Sequence, residues 1–540
     1  MSPARRPEVG SAGYAVPVKA HSRPRVTAAA VLCVGALATG CSTSDSAAAF
    51  TATADQPLVI SLDDLLAETG GSAAVRIADP AHGKLSRRVD GALVYTPDAG
   101  YRGSDTFKVT TTDAVRLYTT DIPSLGEFGG TTVQGSGFGS AWTPVPGSTD
   151  EFYGLTDRGP NVDGPGKNEK LAPIASFVPK IGRFKLVGTR AVLQSSIDLH
   201  TAAGVPFNGQ VDIAANTGET IKDLAGNVLP PTDHGLDPEG LVALPDGTFW
   251  VSDEYGPFLV HFDAKGAEIE RLAPGSGLPK ELSLRTPNQG MEGLTITPDG
   301  STLVGLMQSG LNTPGLSGSA KETPLTRIVT VDLKTKALKE FVVPLENPKS
   351  SKVADSEITA LSATTFLIDE RDGSLAPKAD KKLWTVDIAN ATDVGPDAKV
   401  PGAQYIPELG LQIDGKSLEA LVGSVSTSDG VAVLTKAGVT PAAKTANLDF
   451  AALVRELDAD GKFFGHDKIE GVATLDGGKT LYIANDSDFG LAGSKGEQPP
   501  FALKPKTLPN GVQDSGEILF VDTTKLPAKT AEHTVKLTVE

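Results

Sequence analysis

Short runs of alternating apolar and polar residues, separated by Gly, Pro and Asp-Gly turns, fill much of the chain. The clearest example runs from Asp237 to Tyr255, where two apolar strands flank the turn at Asp246-Gly247. This pattern predicts a tight β-hairpin. Because residues equidistant from a tight turn pair across antiparallel strands, we expect Glu254 to lie opposite Glu239, at one end of the hairpin.

The hairpin pattern recurs along the chain, and the repeat predicts the fold. Its copies begin at Gly135, Asp237, Gly290, Ser356, Ser417 and Ile469. After the first copy the spacing is about 50 to 65 residues, which fits four short strands with loops and hence one propeller blade. We therefore predict an all-β chain with a six-bladed β-propeller over residues 114–540. An array of β-sandwiches is the structural alternative, but it does not explain a carboxylate motif in each interval.

A second pattern of short strands precedes the propeller, between residues 50 and 113. The strands from Ala92 to Pro97 and from Tyr101 to Val109 lie between Gly and Pro turns. Such spacing predicts a small β-sandwich. Together with the segment from Ala78 to Leu85, these strands resemble bacterial cadherin-like or Ig-like modules. We expect an Ig-like sandwich that serves as a spacer or an adhesive unit.

The N-terminus has the pattern of an export signal. Basic residues precede an apolar run from Val26 to Leu37, and small residues then lead to Cys41. This ending resembles a bacterial lipobox and predicts a signal peptide over residues 1–41, lipidation of Cys41 and anchoring to the outer face of the membrane. An ordinary signal peptide that contains a cysteine is the alternative, and the apolar run is short for a transmembrane helix. Residues 42–53, rich in Ser, Ala and Thr, predict a flexible tether.

Composition and charge narrow the classes of partner. The chain has 59 Gly and 38 Pro but only 6% aromatic residues, which is typical of a turn-rich β protein. Its formal net charge is −17, so we expect no binding to nucleic acid and no direct attraction to an anionic membrane. For the same reason, a polyanionic substrate would need bound cations or a local basic patch.

Several motifs along the predicted propeller occur in a characteristic order within residues 133–522. They run from Tyr153 to Asn161, Asp237 to Leu241, Ser252 to Pro257, Asn288 to Leu294, Ile469 to Val472 and Asn485 to Asp488. Together they resemble the secreted bacterial family named for esterase-like activity of phytase. The resemblance implies an exported hydrolase that acts on phosphate or carboxyl esters of a small molecule.

The repeated glutamates predict a ring of carboxylates at one mouth of the propeller, because the innermost strand of each blade lines the channel. We expect catalytic roles for Glu239, Asp253, Glu254, Asp157, Arg158 and Arg371, and metal-binding roles for Glu292, Glu357, Asp369, Glu370, Glu470 and Asp486. Carboxylate oxygens suit Ca²⁺ or Mg²⁺, which would recruit a phosphate while one carboxylate activates a water. The two arginines would bind an anionic oxygen. The alternative interpretation is structural, with each Glu capping backbone amides inside its own blade.

Other catalytic classes find little support in the sequence. It contains no Gly-x-Ser-x-Gly motif, and its histidines show no paired metal spacing. His234, close to Glu239, is the one histidine to test as a general base. The leading function is metal-assisted hydrolysis of a phosphate ester at the propeller mouth. The competing hypothesis is a non-catalytic envelope protein that uses the propeller to bind glycan, peptide or metal.

Overall fold

An Ig-like β-sandwich opens the computed structural model, which describes residues 49–215 and 218–540. Its first elements are β1 (Phe50–Ala52), β2 (Leu58–Ile60), α1 (Leu62–Thr69), β3 (Ala73–Ile77), β4 (Gly83–Arg87), β5 (Leu93–Pro97) and β6 (Gly103–Thr112). Alternate residues in the first part of β6 point inward, so that Asp105, Phe107 and Val109 are buried while Thr106 and Lys108 are exposed. Phe107 and Val109 pack against Tyr95 of the facing sheet.

The first propeller blade carries two insertions. The strands in this region are β7 (Val115–Thr120), β8 (Gly126–Phe128), β9 (Thr131–Val133), β10 (Ala141–Pro144), β11 (Glu151–Leu155), β12 (Val162–Asp163), β13 (Glu169–Leu171), β14 (Lys180–Val187), β15 (Arg190–Asp198), β16 (Thr220–Lys222) and β17 (Val228–Leu229). Blade 1 is the antiparallel sheet β10-β11-β14-β15. The insertions pair with each other in a small sheet, β12-β13-β16-β17, called here the cap sheet.

Three further four-stranded blades follow in chain order. Blade 2 contains β18 (Pro238–Ala243), β19 (Phe249–Asp253), β20 (Leu259–Phe262) and β21 (Glu268–Pro274), with β22 (Gly277–Leu278) at its edge; blade 3 contains β23 (Met291–Ile296), β24 (Thr302–Met307), β25 (Leu325–Asp332) and β26 (Leu338–Pro344). Blade 4 follows α2 (Pro348–Ser351) and begins with β27 (Ala354–Ala360), β28 (Thr365–Arg371) and β29 (Lys381–Asp387). Its outer strand comes only after an insertion with β30 (Gln404–Ile406), β31 (Gly410–Ile413), β32 (Lys416–Ser417), α3 (Leu418–Val422) and α4 (Thr427–Lys436); that strand is β33 (Ala443–Asp449), and α5 (Phe450–Leu457) follows it.

The hairpin predicted from Ser417 to Thr435 is wrong, because this segment forms α3 and α4. The Ser417 side chain accepts a hydrogen bond from the Ala420 amide at the start of α3. Ser426 does the same at the start of α4, so that the expected Asp-Gly turn at residues 429–430 lies inside a helix. Serine caps outweigh the turn signal here, and the predicted fifth blade is an insertion in blade 4.

The last blade combines the two ends of the propeller. The remaining strands are β34 (Gly471–Ala473), β35 (Thr480–Ala484), β36 (Leu491–Lys495), β37 (Ala502–Pro505), β38 (Glu517–Asp522) and β39 (Thr530–Val539). Strand β38 pairs antiparallel with β7, which completes the blade β34-β35-β38-β7. Strand β39 pairs with β6 over its whole length and with β1, so it belongs to the sandwich. The propeller predicted over 114–540 therefore ends before β39.

The inner strands β10, β18, β23, β27 and β34 contact one another around a ring. The described residues thus form a five-bladed propeller; the all-β propeller with a preceding Ig-like sandwich is confirmed, but the count of six is wrong. Among these residues no helix is both long and apolar enough to cross a membrane. The predicted signal peptide, Cys41 and most of the predicted tether lie outside the described residues, and residues 50–52 of that tether form β1.

Candidate functional site

A cavity of about 760 Å³ opens at the mouth where the second strands of the blades end. Each blade contributes one residue from within two positions of that strand end: Asp157, Glu254, Gln308, Arg371 and Asp486. The cap sheet and the loop at residues 287–289 form the outer walls. The repeat therefore supplies one cavity-facing side chain per blade, and the residue type differs between blades.

Glutamates on the first strands, or directly before them, form a second layer of the cavity. Glu239, Glu292 and Glu470 line it, and each is followed by glycine. A Cβ on Gly240 would lie 2.5 Å from the backbone nitrogen of Leu294 in the next blade. The Glu-Gly pair is thus explained by packing: the glycine allows neighbouring inner strands to approach closely at the channel, and the glutamate before it faces the mouth.

Blade 4 departs from this arrangement by one residue. Its β-bulge falls between Asp355 and Glu357, and Ile358 approaches the preceding blade as Leu294 does in blade 3. Ser356 therefore takes the position of the cavity-facing glutamate. The carboxylate of Glu357 accepts hydrogen bonds from the amides of Ile358, at 2.8 Å, and Leu294, at 3.3 Å. Predicted as a metal ligand, Glu357 lies instead between two backbones.

Three other predicted site residues also lie away from the cavity. Asp253 accepts a hydrogen bond of 2.7 Å from the Asp237 amide and another from the turn that follows β19. Glu370 pairs with Lys444 on the other side of blade 4. The Asp369 side chain is buried, and neither of its carboxylate oxygens accepts a hydrogen bond from a described residue. His234 does not line the cavity either, and its Nδ1 lies 2.7 Å from Asp233 Oδ1.

Arg158 lies in the cavity wall with most of its donors engaged. Its Nη1 donates to Glu219 at 3.1 Å and to the Tyr255 hydroxyl at 3.0 Å, and its Nη2 donates to Asn288 Oδ1 at 2.6 Å. The Nε lies 3.5 Å from Asp237 Oδ2. These contacts hold the guanidinium plane at the junction of the cap and blade 2.

Two further cations lie on the opposite side. Arg371 pairs with Glu470, and Lys468 Nζ lies 3.1 Å from Asp486 Oδ2 and 2.7 Å from Asp488 Oδ1. Each of these cations is therefore already paired with carboxylates of the chain. Lys468 was not among the predicted site residues, although its place two residues before the Glu-Gly pair was a usable signal.

The carboxylates of the cavity form two clusters among the described residues. Oxygens of Asp237, Glu239 and Glu254 lie within 4.8 Å of one another, and so do oxygens of Glu239, Glu292 and Glu470. Glu239 belongs to both clusters. Asp237 Oδ2, Glu254 Oε1 and Glu292 Oε2 are buried and accept no hydrogen bond from a described residue. Clusters of this kind could hold metal ions, since hard cations prefer several oxygen ligands.

The pKa values of these groups rise because buried charges of like sign crowd together. Burial, followed by repulsion from Glu292, Asp237 and Glu470, raises the pKa of Glu239 well above its usual range. Burial and Glu470 raise the pKa of Glu292 to about 8, against the opposing effect of Arg371. The cavity thus holds more buried carboxylates than its own cations can neutralise.

Sequence reasoning missed one acid of the two clusters. Asp237 stands two residues before Glu239, and its side chain belongs to the first cluster. The Asp-Pro-Glu-Gly motif contains Asp237, but the glutamate repeated in each blade predicted a role for Glu239 alone. The Asp two positions before Glu239 was the available signal, and among the other copies only Asp355-Ser356-Glu357 shares this spacing.

The fold and the cavity define a β-propeller whose mouth is lined by carboxylates from separate blades. The chain belongs to the family described as esterase-like activity of phytase, whose family model matches residues 134–489. A bacterial Ig domain model matches residues 42–122.

Similar proteins include an uncharacterized secreted protein of Arthroderma benhamiae, 26% identical over 340 residues. That match covers 52% of this chain and 63% of the relative, so the chain spans less than two thirds of that protein. Among solved structures, a xylan β-1,4-xylosidase from Bacillus halodurans C-125 is 12% identical with a TM-score of 0.33, over 72% of this chain and 53% of that one. A streptogramin B lyase is 11% identical with a TM-score of 0.25, over 75% and 96%.

Proposed function

We propose that this protein is an exported hydrolase that cleaves phosphate esters in the cavity with the help of bound divalent cations. The observation that carries the proposal is the pair of acidic clusters that share Glu239. Family membership supports hydrolysis of an ester, and the two acidic clusters support a requirement for bound metal ions.

The donor set fits Ca²⁺ best, with Mg²⁺ as the second choice. Asp237, Glu239 and Glu254 would hold one cation, and Glu239, Glu292 and Glu470 a second. All are carboxylates, and each cluster includes an oxygen that no described residue satisfies. When bound, the cations would neutralise the excess charge and act as Lewis acids on phosphate oxygens.

The chain's own groups would orient the phosphate. Arg371 Nε is buried in the cavity wall and has no hydrogen-bond partner among the described residues. It can donate to a substrate oxygen while its Nη2 keeps the contact with Glu470. Arg158 Nε, on the opposite wall, makes no hydrogen bond with a described residue and can exchange its 3.5 Å contact with Asp237 Oδ2 for a substrate oxygen. The two guanidinium groups would thus bind the substrate from both sides.

Asp157 and Asp486 are the candidates for proton transfer. They are the cavity-facing second-strand carboxylates that belong to neither cluster. Asp157 Oδ1 accepts a hydrogen bond of 2.8 Å from the Gly159 amide, which fixes the carboxylate at the mouth. One of the two would take a proton from the attacking water or give one to the leaving oxygen.

Export and lipid anchoring remain proposals from the N-terminal pattern. The basic residues, apolar run and Cys41 support both, and the secreted relative supports export alone. Mass spectrometry of the protein extracted from membranes tests the anchor: a diacylglyceryl group on Cys41 is expected, and a soluble chain that begins at another residue would contradict it.

A panel of phosphate monoesters, phosphate diesters and carboxyl esters, with Ca²⁺ or with EGTA, tests the reaction. We expect Ca²⁺-dependent release of phosphate, lost in Glu239→Gln and kept in the matched variant Glu357→Gln. If the protein hydrolyses no ester, and Glu239→Gln alters only binding of glycan, peptide or metal, the envelope-binding hypothesis replaces the enzyme.

A further inference from the structure

Charged groups, most of them buried, join the Ig-like sandwich to the last blade. Arg87, on β4, places Nη2 3.3 Å from Glu517 Oε1 at the start of β38. The other oxygen of Glu517 lies 3.1 Å from His466 Nε2, and His466 Nδ1 lies 2.9 Å from Asp514 Oδ1. His466 and Asp514 are fully buried. Each ring nitrogen therefore faces a carboxylate, as expected for a protonated histidine.

The same alternation of charge continues from Asp514 into the cavity. Lys506 Nζ lies 3.4 Å from Asp514 Oδ2 and pairs with Asp488. Asp488 in turn lies 2.7 Å from Lys468, whose Nζ is 3.9 Å from Glu470 Oε1. Lys468 and Glu470 line the cavity. Positive and negative groups thus alternate at every step from the sandwich to the mouth.

A shorter connection fixes the backbone beside a second cavity residue. Asn485 donates from Nδ2 to Asp514 Oδ1 at 3.2 Å and accepts at Oδ1 from the Glu517 amide at 2.7 Å. Asn485 directly precedes Asp486, which faces the cavity. The groups that hold His466 therefore also hold the strand end that presents Asp486.

We propose that Arg87 and His466 are positioning residues, through which the Ig-like sandwich fixes Lys468 and Glu470 in the cavity. Charges that alternate in a largely buried series depend on their neighbours, because removing one leaves the next with fewer opposite charges to hold it in place. The sandwich is then part of the site and does more than space or anchor the propeller.

Terbium luminescence, with Tb³⁺ alone as the probe, tests the proposal in Arg87→Met. Arg87→Met removes a positive charge, and this change in charge alone would strengthen the binding of a cation. Weaker binding of Tb³⁺ would therefore show that the geometry of the cavity has changed. We expect Kd for Tb³⁺ to rise about fivefold in Arg87→Met and to recover in Arg87→Lys. Arg76→Met, an exposed position in the same sandwich, should leave Kd unchanged. Unchanged or tighter binding in Arg87→Met overturns the proposal.

A double-mutant cycle in EGTA tests the same series without any metal. Arg87→Met and Lys468→Met are measured singly and together by urea unfolding. Each substitution changes the unfolding equilibrium constant by some factor. We expect the factor for the double variant to differ at least about fivefold from the product of the two single factors, because both residues belong to one network. Agreement within about twofold contradicts the proposal. The Tb³⁺ titration rests on the proposed cation site, so wild-type protein that binds no Tb³⁺ refutes that site, and the cycle still decides the positioning role.

Discussion

Blades 2 and 4 carry hairpins of nearly the same sequence pattern, yet their carboxylates lie in different surroundings. In blade 2, Glu239 and Glu254 face the cavity and other carboxylates. In blade 4, Glu357 accepts two backbone hydrogen bonds and Glu370 pairs with Lys444. The first hairpin concentrates unneutralised charge, while these two acids of the second have structural partners.

The difference follows from the position of one β-bulge. In blade 2 the irregularity includes Glu239 and Gly240, whereas in blade 4 it falls on Ser356. A shift of one residue moves a side chain to the other face of a strand, so Glu357 leaves the cavity. A carboxylate that accepts hydrogen bonds from backbone amides is therefore interpreted as structural. A carboxylate that is surrounded by other carboxylates is interpreted as a group that binds a ligand.

The largest expected effect separates the two glutamates by activity. Glu239→Gln removes the ligand that both clusters share, and we expect hydrolysis to fall about a thousandfold, or ~4 kcal/mol in transition-state stabilisation. Glu357→Gln should keep activity within about threefold, since Glu357 does not reach the cavity. Initial rates at saturating Ca²⁺ measure both variants, and equal losses in the two would contradict the comparison.

The last blade offers a third version of the hairpin and a pH test. Asn485 stands where blade 2 has Asp253, beside the pair of Asp514 and His466. Burial would lower the pKa of His466, but Asp514 and Glu517 raise it to about 9 from 6.5.

Because the folded state then holds the proton more tightly, this stabilisation is complete below pH 6.5 and is lost as pH rises to 9. The loss is on the order of 3 kcal/mol. Urea unfolding at a series of pH values measures it, and His466→Gln should lack this slope. The same slope in both proteins would disprove the assignment.

The next largest effect is expected for a substitution of Gly240, on the inner strand of blade 2. Gly240→Ala would place its Cβ 2.5 Å from the Leu294 nitrogen, and we expect a loss of about 2 kcal/mol in the free energy of unfolding. Gly373→Ala in blade 4 is the matched control, because no atom lies within 4 Å of its added Cβ. Thermal denaturation compares them; a tolerated Gly240→Ala would argue against close approach of the inner strands.

The smallest effect is on stability in blade 4. Glu357→Gln keeps one acceptor oxygen but loses the charge that strengthens two hydrogen bonds to backbone amides, so we expect unfolding to become easier by about 1 kcal/mol. Glu239→Gln in EGTA should do the opposite and stabilise the chain slightly, since it removes a buried charge from among like charges. Chemical denaturation in EGTA reports both signs. Destabilisation by Glu239→Gln would mean that Glu239 also has a structural role.

Local sequence patterns predicted the blades well where the turn residues and the alternation of apolar and polar residues indicated the same hairpin. The hairpin from Asp237 to Tyr255 forms with the expected turn and strand directions, but its bulge pairs Pro238 with Asp253, so Glu254 does not lie opposite Glu239. Residues 417–435 misled the prediction because an Asp-Gly pair can also lie within a helix when a serine cap precedes it. The place of β39 in the sandwich depends on pairing with β6, more than 400 residues earlier in the chain, which no local pattern encodes.

The candidate site was also predictable in part from local sequence patterns. Most of the proposed residues line the cavity: Asp157, Arg158, Glu239, Glu254, Glu292, Arg371, Glu470 and Asp486. Their chemical roles stay predictions. Two of the residues that lie elsewhere show why: the facing of Glu357 depends on bulge register, and that of Glu370 on a partner distant in sequence, Lys444.

Calcium binding to the metal-free protein tests the central claim most directly. Isothermal titration of wild type, Glu239→Gln and Glu357→Gln should give two cations per chain for wild type and for Glu357→Gln. It should give a loss of both in Glu239→Gln, because Glu239 belongs to each cluster. No binding to the wild type, or an equal loss in the two variants, would contradict the account.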